Sequence, residues 1–321
     1  MTYYLKYRPQ TISDLDITIV RDSLAKIAES GEIPHALLFA GSKGTGKTST
    51  ARILAKVINC TERKDNEPCN KCDSCVSITN GTNMDVIEMD AASNRGIDDV
   101  RVLRDAVKLA PSGSKAKVYI IDEAHMLTTE ASNALLKTLE EPPSHVYFIL
   151  ATTNPEKLIE TIRSRTTLVQ FTKATVEEVK RSLQRIIKNE KLNVKEENLE
   201  KIIKIARGSF RDAVKLLEQY SKDETFLDSQ NIFDAEKFAT IVLAKDTDNA
   251  LLEVTTAIKN GVSAENITME LLTILQAKLL EEKSDDLIKL IGLILSVQEY
   301  NKVSPIEELP LELAIIKWCR I

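Results

Sequence analysis

Apolar and polar positions follow two regimes along the chain. Short apolar runs recur over the first half, at Leu37–Ala40, Asp85–Met89, Val118–Ile121, Val146–Ala151 and Leu168–Phe171. Runs this short, rich in Val, Ile and Leu, have the length of strands buried on both faces. Between them apolar residues return at helical spacing, over Arg21–Ser30, Ile97–Leu109 and Glu130–Glu140. Alternating strands and helices predict a parallel sheet covered by helices on both faces. Ahead of these lies a short polar arm, and a turn is expected at Gly31–Pro34. From Val176 onward the pattern is helical only. Glu177–Asn189, Glu197–Ala206 and Phe210–Tyr220 predict a three-helix group. After a polar break at Ser221–Gln230, further helices are expected at Ala235–Val242, Thr247–Lys259, Ser263–Leu280, Ser284–Glu299 and Leu309–Cys319. The expected organisation is an α/β domain over 1–173, a small helical lid over 174–222 and an all-helical domain over 223–321. The last has apolar stripes but no concentration of reactive groups, which suits packing against other chains.

Composition narrows the class. The chain has 321 residues, 43% hydrophobic and 28% charged, with a formal net charge of −5. A net negative chain has no global attraction to nucleic acid, so any contact with DNA must come from a local patch. No apolar run reaches the ~20 residues of a membrane span. The first residues, Met1 to Pro9, lack the apolar segment of a signal peptide, and a cytoplasmic location is expected.

The stretch Gly41-Ser42-Lys43-Gly44-Thr45-Gly46-Lys47-Thr48 joins the first apolar run to a helical pattern opening at Ser49. It fits G-x-x-x-x-G-K-[ST] between a strand and a helix, the context that loop needs. Its glycines let backbone N–H groups close around phosphate oxygens, and the helix N-terminus adds partial positive charge. Lys47 is expected to reach the β- and γ-phosphates, and the Thr48 hydroxyl to ligate Mg²⁺. The run Val118–Ile121 ends in Asp122 and Glu123. Asp122 at a strand's edge would hold Mg²⁺ through water, and Glu123 could take a proton from the attacking water. Asp122-Glu123-Ala124-His125 also occurs in helicases, but the further arginine-rich helicase motifs are missing. Thr153, just past the next strand, is a candidate for orienting water or sensing the γ-phosphate. Arg165 in Ile162-Arg163-Ser164-Arg165 would act in a ring as a finger supplied to the neighbour's nucleotide. In Gly208-Ser209-Phe210-Arg211, Gly208 ends one helix, Ser209 caps the next and Arg211 can reach the γ-phosphate.

Cys60, Cys69, Cys72 and Cys75 form C-x₈-C-x₂-C-x₂-C. In a chain expected to be cytoplasmic this argues for metal over disulfides. Four thiolates leave no open position for water, so a structural Zn²⁺ is favoured, with an iron–sulfur cluster as the rival. The loop Thr61–Asn66 is too polar to build its own core, so metal would supply its fold. Cys319 reads as a buried helix residue, and His35, His125 and His145 show no ligand spacing.

Seven segments then occur in one order: Tyr7-Arg8-Pro9-Gln10, the cysteine module, Asp90-Ala91-Ala92-Ser93, Asp122-Glu123-Ala124-His125-Met126-Leu127, residues 133–143 (NALLKTLEEPP), Ala151-Thr152-Thr153 and Gly208–Ala213. Together they resemble the gamma/tau subunits of bacterial DNA polymerase III, AAA+ ATPases that drive the sliding-clamp loader. The resemblance is dense over residues 3–220 and weak beyond. It implies an ATPase within the polymerase III holoenzyme and a collar that assembles the C-terminal domain into an open five-membered ring. The implied partners are delta and delta-prime subunits, further copies of the chain, the beta clamp and primed DNA. It also implies ATP as nucleotide, with Tyr7, Arg8 and Pro9 on the adenine side. Asn94, Arg95 and Arg101, at the start of the helix Ile97–Leu109, are candidates for DNA phosphate contact. Two positions depart from the family pattern. Ile19-Val20-Arg21-Asp22 stands where Gly-Gln is usual, which bears on the adenine-pocket lining, and Ser164-Arg165-Thr166 replaces Ser-Arg-Cys. The readings to be separated are the clamp-loader motor, another DNA-processing AAA+ ATPase, and a nucleotide-regulated scaffold without turnover.

Overall fold

The computed structural model describes residues 2–94, 96–229, 233–301 and 303–320, with backbone alone at 97–99, 101, 228 and 229. The chain divides into two compact units, Met1–Glu224 and Thr225–Ile321. In the first, α1 (Tyr3–Lys6) and α2 (Thr18–Ser30) precede β1 (Ala36–Gly41), and α3 (Lys47–Asn59) and α4 (Asp73–Asn80) precede β2 (Val86–Asp90). Then come α5 (Ile97–Val107), β3 (Lys117–Asp122), α6 (Thr129–Glu140), β4 (Val146–Thr152), α7 (Glu160–Arg163) and β5 (Thr167–Phe171). Three helices close the unit: α8 (Val176–Glu190), α9 (Glu196–Ala206) and α10 (Phe210–Lys222).

The five strands form one parallel sheet in the order β2-β3-β4-β1-β5. Successive side chains of a strand point to opposite faces, and both faces here are buried. Leu37, Phe39, Ile120 and Ile149 pack with Ile53, Leu54 and Val57 of α3 and with Val20 and Leu24 of α2. Leu38, Tyr119, Ile121 and Phe148 face the other way, onto Leu103 of α5 and Leu135 and Leu139 of α6. The apolar runs are therefore continuous instead of alternating. β2 lies at the sheet edge and is only partly covered. The carboxyl ends of β1 and β3 emerge on one side, flanking β4, where open parallel sheets bind their ligands.

Two elements lie where the sequence pattern assigns none: the helical turn α1 in the polar arm, and α4 at the end of the cysteine module. Cys72 stands at the N-cap of α4 and Cys75 lies inside it, so short apolar content hid a helix that the cysteine cluster shapes.

Just ahead of β2, the buried Asp85 carboxylate accepts backbone N–H groups of Ser112 (2.8 Å), Gly113 (2.9 Å) and Ser114 (2.8 Å). Burial opposes its charge, but these amides outweigh burial and hold the carboxyl below its ordinary range. With the folded value lowered, the stabilisation is complete above the unfolded value of about 4 and is lost as pH falls through the folded one. Asp85→Asn should cost about 2 kcal/mol at neutral pH, read by chemical denaturation, and the loss should vanish in strong acid.

The second unit is helical among its described residues: α11 (Phe226–Ser229), α12 (Ala235–Leu243), α13 (Thr247–Lys259), α14 (Ala264–Glu282), α15 (Asp285–Asn301) and α16 (Leu309–Arg320). Asp234, Asp246 and Ser263 cap α12, α13 and α14 with their side chains. Phe238, Leu271, Leu290 and Trp318 fill its core, where the Trp318 ring N–H donates to the Val242 carbonyl at 2.8 Å. Cys319 is half-buried at the rim of this core, not inside it. The adjacent Trp318 takes the inward position, and the next residue of a helix turns about 100° away. Among the described residues, no helix is long and apolar enough to cross a membrane.

Candidate functional site

The glycine loop runs from the end of β1 into α3. Gly46, at φ 96°, is the N-cap of α3, and the Thr45 hydroxyl donates to the Ser42 carbonyl at 2.8 Å. Gly44 sits at φ 79°, and a β-carbon there would stand 2.1 Å from Oγ of Ser209. Only glycine lets the loop pass this close to the N-terminus of α10. The Phe210 N–H donates to the Gly44 carbonyl at 3.1 Å, so the three-helix group rests on the loop through its last helix. Lys47 is buried, with its ammonium donating to the carbonyls of Gly41 (2.8 Å) and Ser42 (2.9 Å). Burial pulls its pKa down, and the nearby Glu123 and Asp122 carboxylates offset this only in part.

Asp122 ends β3 facing the start of α3. The Thr48 hydroxyl donates to its Oδ2 at 2.7 Å and the Glu123 N–H to its Oδ1 at 3.0 Å. Glu123 has φ 48°, a left-handed conformation that costs a branched or long side chain roughly 1–3 kcal/mol. That turn places its carboxylate beside β4. The Thr153 hydroxyl donates to Glu123 Oε2 at 3.0 Å. His125 Nδ1 stands 3.4 Å from the same oxygen and 3.0 Å from the Thr152 hydroxyl. Glu123 is thus the meeting point of two strand ends, and His125 and Thr152 support it without having been singled out from the sequence.

Around these groups lies a cleft with about 1110 Å³ of empty space, partly open to solvent. Lys43 to Thr50, Asp122, Glu123 and Arg211 line one part of it. Tyr7, Arg8 and Pro9 line another, beside the apolar side chains of Leu15, Ile17, Val20, Phe171, Phe210 and Val214. A slot lined by the glycine loop, by cations and by apolar side chains fits a nucleoside polyphosphate. Ile17 and Val20 supply that wall where the family's Gly-Gln is absent. Burial, then the proximity of Arg52, lowers the Arg8 pKa, and the nearby Glu88 carboxylate offsets this only in part. Thr48 and Asp122 could hold Mg²⁺ between them and a triphosphate. The arm is tied to the three-helix group by the Tyr7 hydroxyl on Glu190 (2.7 Å), Lys6 on Glu190 (2.6 Å) and the Tyr3 N–H on Glu218 (2.9 Å).

Arg165 lies outside the lining of this cleft, among the described residues. Its Nε donates to Glu140 Oε1 at 2.7 Å and its Nη1 to the Thr161 carbonyl at 2.9 Å. Arg211, in the first turn of α10, is inside the cleft. Asn94 is exposed and its side-chain amide donates to the Asp90 carbonyl at 3.2 Å. Arg95 and the side chain of Arg101 lie outside the described residues.

Cys60 closes α3, and its Sγ lies with those of Cys69, Cys72 and Cys75 within 4.8 Å of one another. Four sulfurs about 2.3 Å from a tetrahedral zinc ion would stand about 3.8 Å apart, so the cluster needs only slight contraction to hold one. Backbone N–H groups of Lys71 (3.4 Å) and Cys72 (3.3 Å) point at Cys69 Sγ and lower its pKa. Cys72 falls to about 6 because amides of Thr61 and Cys75 outweigh its burial. Such N–H groups favour thiolates, the form a metal binds, at Cys69 and Cys72, whereas burial pushes the Cys60 and Cys75 thiols up.

A glycine loop between β1 and α3, with an acidic pair at the end of β3, has the arrangement of a P-loop on a parallel α/β fold of the AAA+ kind. Thermotoga maritima RuvB, described as a Holliday junction branch migration motor, shares the fold with a TM-score of 0.50 at 20% identity, over 96% of this chain and 91% of that one. A family model described as DNA polymerase III, delta subunit, matches residues 18–175. DNA polymerase III subunit tau of Bacillus subtilis is 48% identical over 220 residues, covering 67% of this chain and 38% of that protein. The Escherichia coli tau subunit is 45% identical over 215 residues, 67% of this chain and 33% of that one. DNA polymerase III subunit gamma of Buchnera aphidicola is 37% identical over 285 residues, 84% of this chain and 78% of that one. The chain belongs to the DNA polymerase III gamma/tau family. It spans about a third of the length of the tau subunits it matches.

Proposed function

We propose that this chain is the ATP-hydrolysing motor of a sliding-clamp loader, acting beside delta and delta-prime subunits and further copies of itself to open the beta clamp and seat it on primed DNA. The observation that carries the enzymatic half is Glu123, held by Thr153 beside the Asp122–Thr48 pair at the mouth of the phosphate loop. Lys47 exchanges the Gly41 and Ser42 carbonyls for β- and γ-phosphate oxygens. Thr48 and Asp122 would hold Mg²⁺, which would supply screening of the charge on those oxygens. Glu123 accepts a proton from the attacking water, and Thr153 keeps its carboxylate aimed.

Closure follows from the α10 contact. Ser209 and Phe210 already rest on Gly44, and Arg211 follows in the same turn, so a γ-phosphate drawn to Arg211 pulls the lid onto the loop. Arg165 serves the nucleotide of the neighbouring subunit, trading Glu140 for a phosphoryl oxygen. Cys60, Cys69, Cys72 and Cys75 would hold a structural Zn²⁺, with no ligand position left for water. The helical second unit is read as the collar, and Asn94, Arg95 and Arg101 as backbone-tracking DNA contacts.

The test is assembly of the full chain with delta, delta-prime and clamp chains, with and without ATP, while phosphate release is followed. The account expects ATP-dependent capture of the clamp and release of phosphate stimulated by primed duplex. Assembly without any phosphate release would mark a scaffold, and release stimulated by a four-way junction but not by clamp and primer would mark another DNA motor.

A further inference from the structure

We propose that the four-cysteine module is the far anchor of the cleft's base-side wall. Through Glu67 and Asn70 of the module, and Lys56 of α3, it positions the segment that carries Tyr7, Arg8 and Pro9. The proposal rests on reading the cleft as a nucleotide site, and it gives the module a task in binding that its metal-ligand role alone does not supply.

The connection is made of hydrogen bonds that can be traced atom by atom. Each oxygen of the Glu67 carboxylate accepts one arm amide, Ile12 N–H at 2.7 Å and Ser13 N–H at 2.7 Å. Lys56 is 1% exposed, and its ammonium donates to the Gln10 carbonyl (2.8 Å), Gln10 Oε1 (2.7 Å) and Asn70 Oδ1 (2.7 Å). An ammonium has three protons, so this one is saturated by arm and module together. The Gln10 side-chain amide then donates to the Arg8 carbonyl at 3.0 Å. Arg8 and Pro9 line the nucleotide cleft directly.

Packing holds the module at Pro68, Cys60 and Cys75, which are buried, but not along the stretch before Glu67. Residues 61–65 are exposed, and Asp65, Asn66 and Asn70 adopt left-handed turns at φ 47°, 64° and 56°. The loop is closed by the backbone pair Lys64–Glu67 and by the sulfur cluster on either side of it. Glu67 lies two residues before Cys69 and Asn70 directly after it. One helix joins both ends of this arrangement, because α3 begins at Lys47 in the glycine loop and ends against Cys60. With thirteen residues it spans about 20 Å. The loop amides thus grip the phosphate end from one terminus of α3. The module, hung from the other terminus, braces the wall that meets the base.

The test compares the full-length wild type with Glu67→Gln and Gln10→Ala. Neither variant touches a metal ligand or the phosphate loop. Calorimetric titration gives Kd for ATP and for tripolyphosphate, which carries no base, and elemental analysis gives the zinc content. Both variants should keep about one zinc per chain and bind ATP roughly ten-fold more weakly, with tripolyphosphate affinity changed by less than about two-fold. Wild type stripped of metal should show the same selective loss, and stripping Glu67→Gln should add little, because both remove the same link. Should Glu67→Gln shed its metal, Gln10→Ala still decides, since it cuts the link far from the cysteines. Unchanged ATP affinity in Gln10→Ala and in stripped wild type would overturn the proposal, as would equal loss for ATP and tripolyphosphate. Failure of untreated wild type to bind ATP would instead overturn the nucleotide reading itself, and this is seen before any variant is compared.

Discussion

Arg165→Ala is expected to lower primed-DNA-stimulated ATP turnover in the assembled complex about 10³–10⁵-fold while leaving ATP affinity within about two-fold. The split follows from geometry. Arg165 is absent from the lining of its own chain's cleft and makes its contacts with Glu140 and Thr161, so removing it takes nothing from the nucleotide that chain binds. What is lost is a guanidinium for the charge that develops on the neighbour's transferring phosphoryl group. Arg165→Lys should rescue poorly, because an ammonium cannot reproduce a planar fork with several donors. Single-turnover phosphate release, measured beside equilibrium ATP binding, checks both halves. A loss of affinity matching the loss of rate would put Arg165 in its own site.

Glu123→Gln is expected to lower turnover about 10²–10⁴-fold with ATP affinity kept. The substitution retains length, and the amide oxygen can still accept from Thr153, but the group no longer takes a proton from water. The left-handed turn at Glu123 would persist, since the Glu123 N–H continues to donate to Asp122. Thr153→Val should give a smaller loss in the same direction, because the Glu123 carboxylate remains and loses only the hydroxyl that aims it. Stopped-flow phosphate release and nucleotide titration on the same preparations separate rate from binding. Equal turnover in Glu123→Gln and wild type would remove the general-base role.

The parts of the site that were legible in the sequence are those whose geometry is local. Eight consecutive residues define the phosphate loop, two adjacent carboxylates follow one apolar run, and four cysteines fall within sixteen positions. The strand order follows from none of these, since it depends on which apolar runs pair across the fold. Helix ends were read to within a few residues, with α8 starting at Val176 because Thr175 and Glu178 form a reciprocal cap. Glu178 also accepts the Thr18 N–H at 3.0 Å, a link across 160 positions that no spacing rule reveals. The same holds for Phe210 on Gly44, His125 beside Thr152, Glu140 on Arg165, and Gln10 with Lys56. Each contact joins segments that lie apart in the sequence, where no local pattern announces it. Helix α4 escaped for another reason: its cysteines read as ligands before they read as helix.

The central claim is that hydrolysis waits on an arginine lent by the adjoining subunit, and subunit mixing tests it most directly. Lys47→Ala protomers carry the arginine but cannot grip the triphosphate; Arg165→Ala protomers grip it but lend nothing. Assembled separately with delta, delta-prime, clamp and primed DNA, each should stay at the basal rate, and mixing the two should restore a substantial part of wild-type turnover. Full turnover by the Arg165→Ala assembly alone, or a mixture no faster than either parent, would contradict the account.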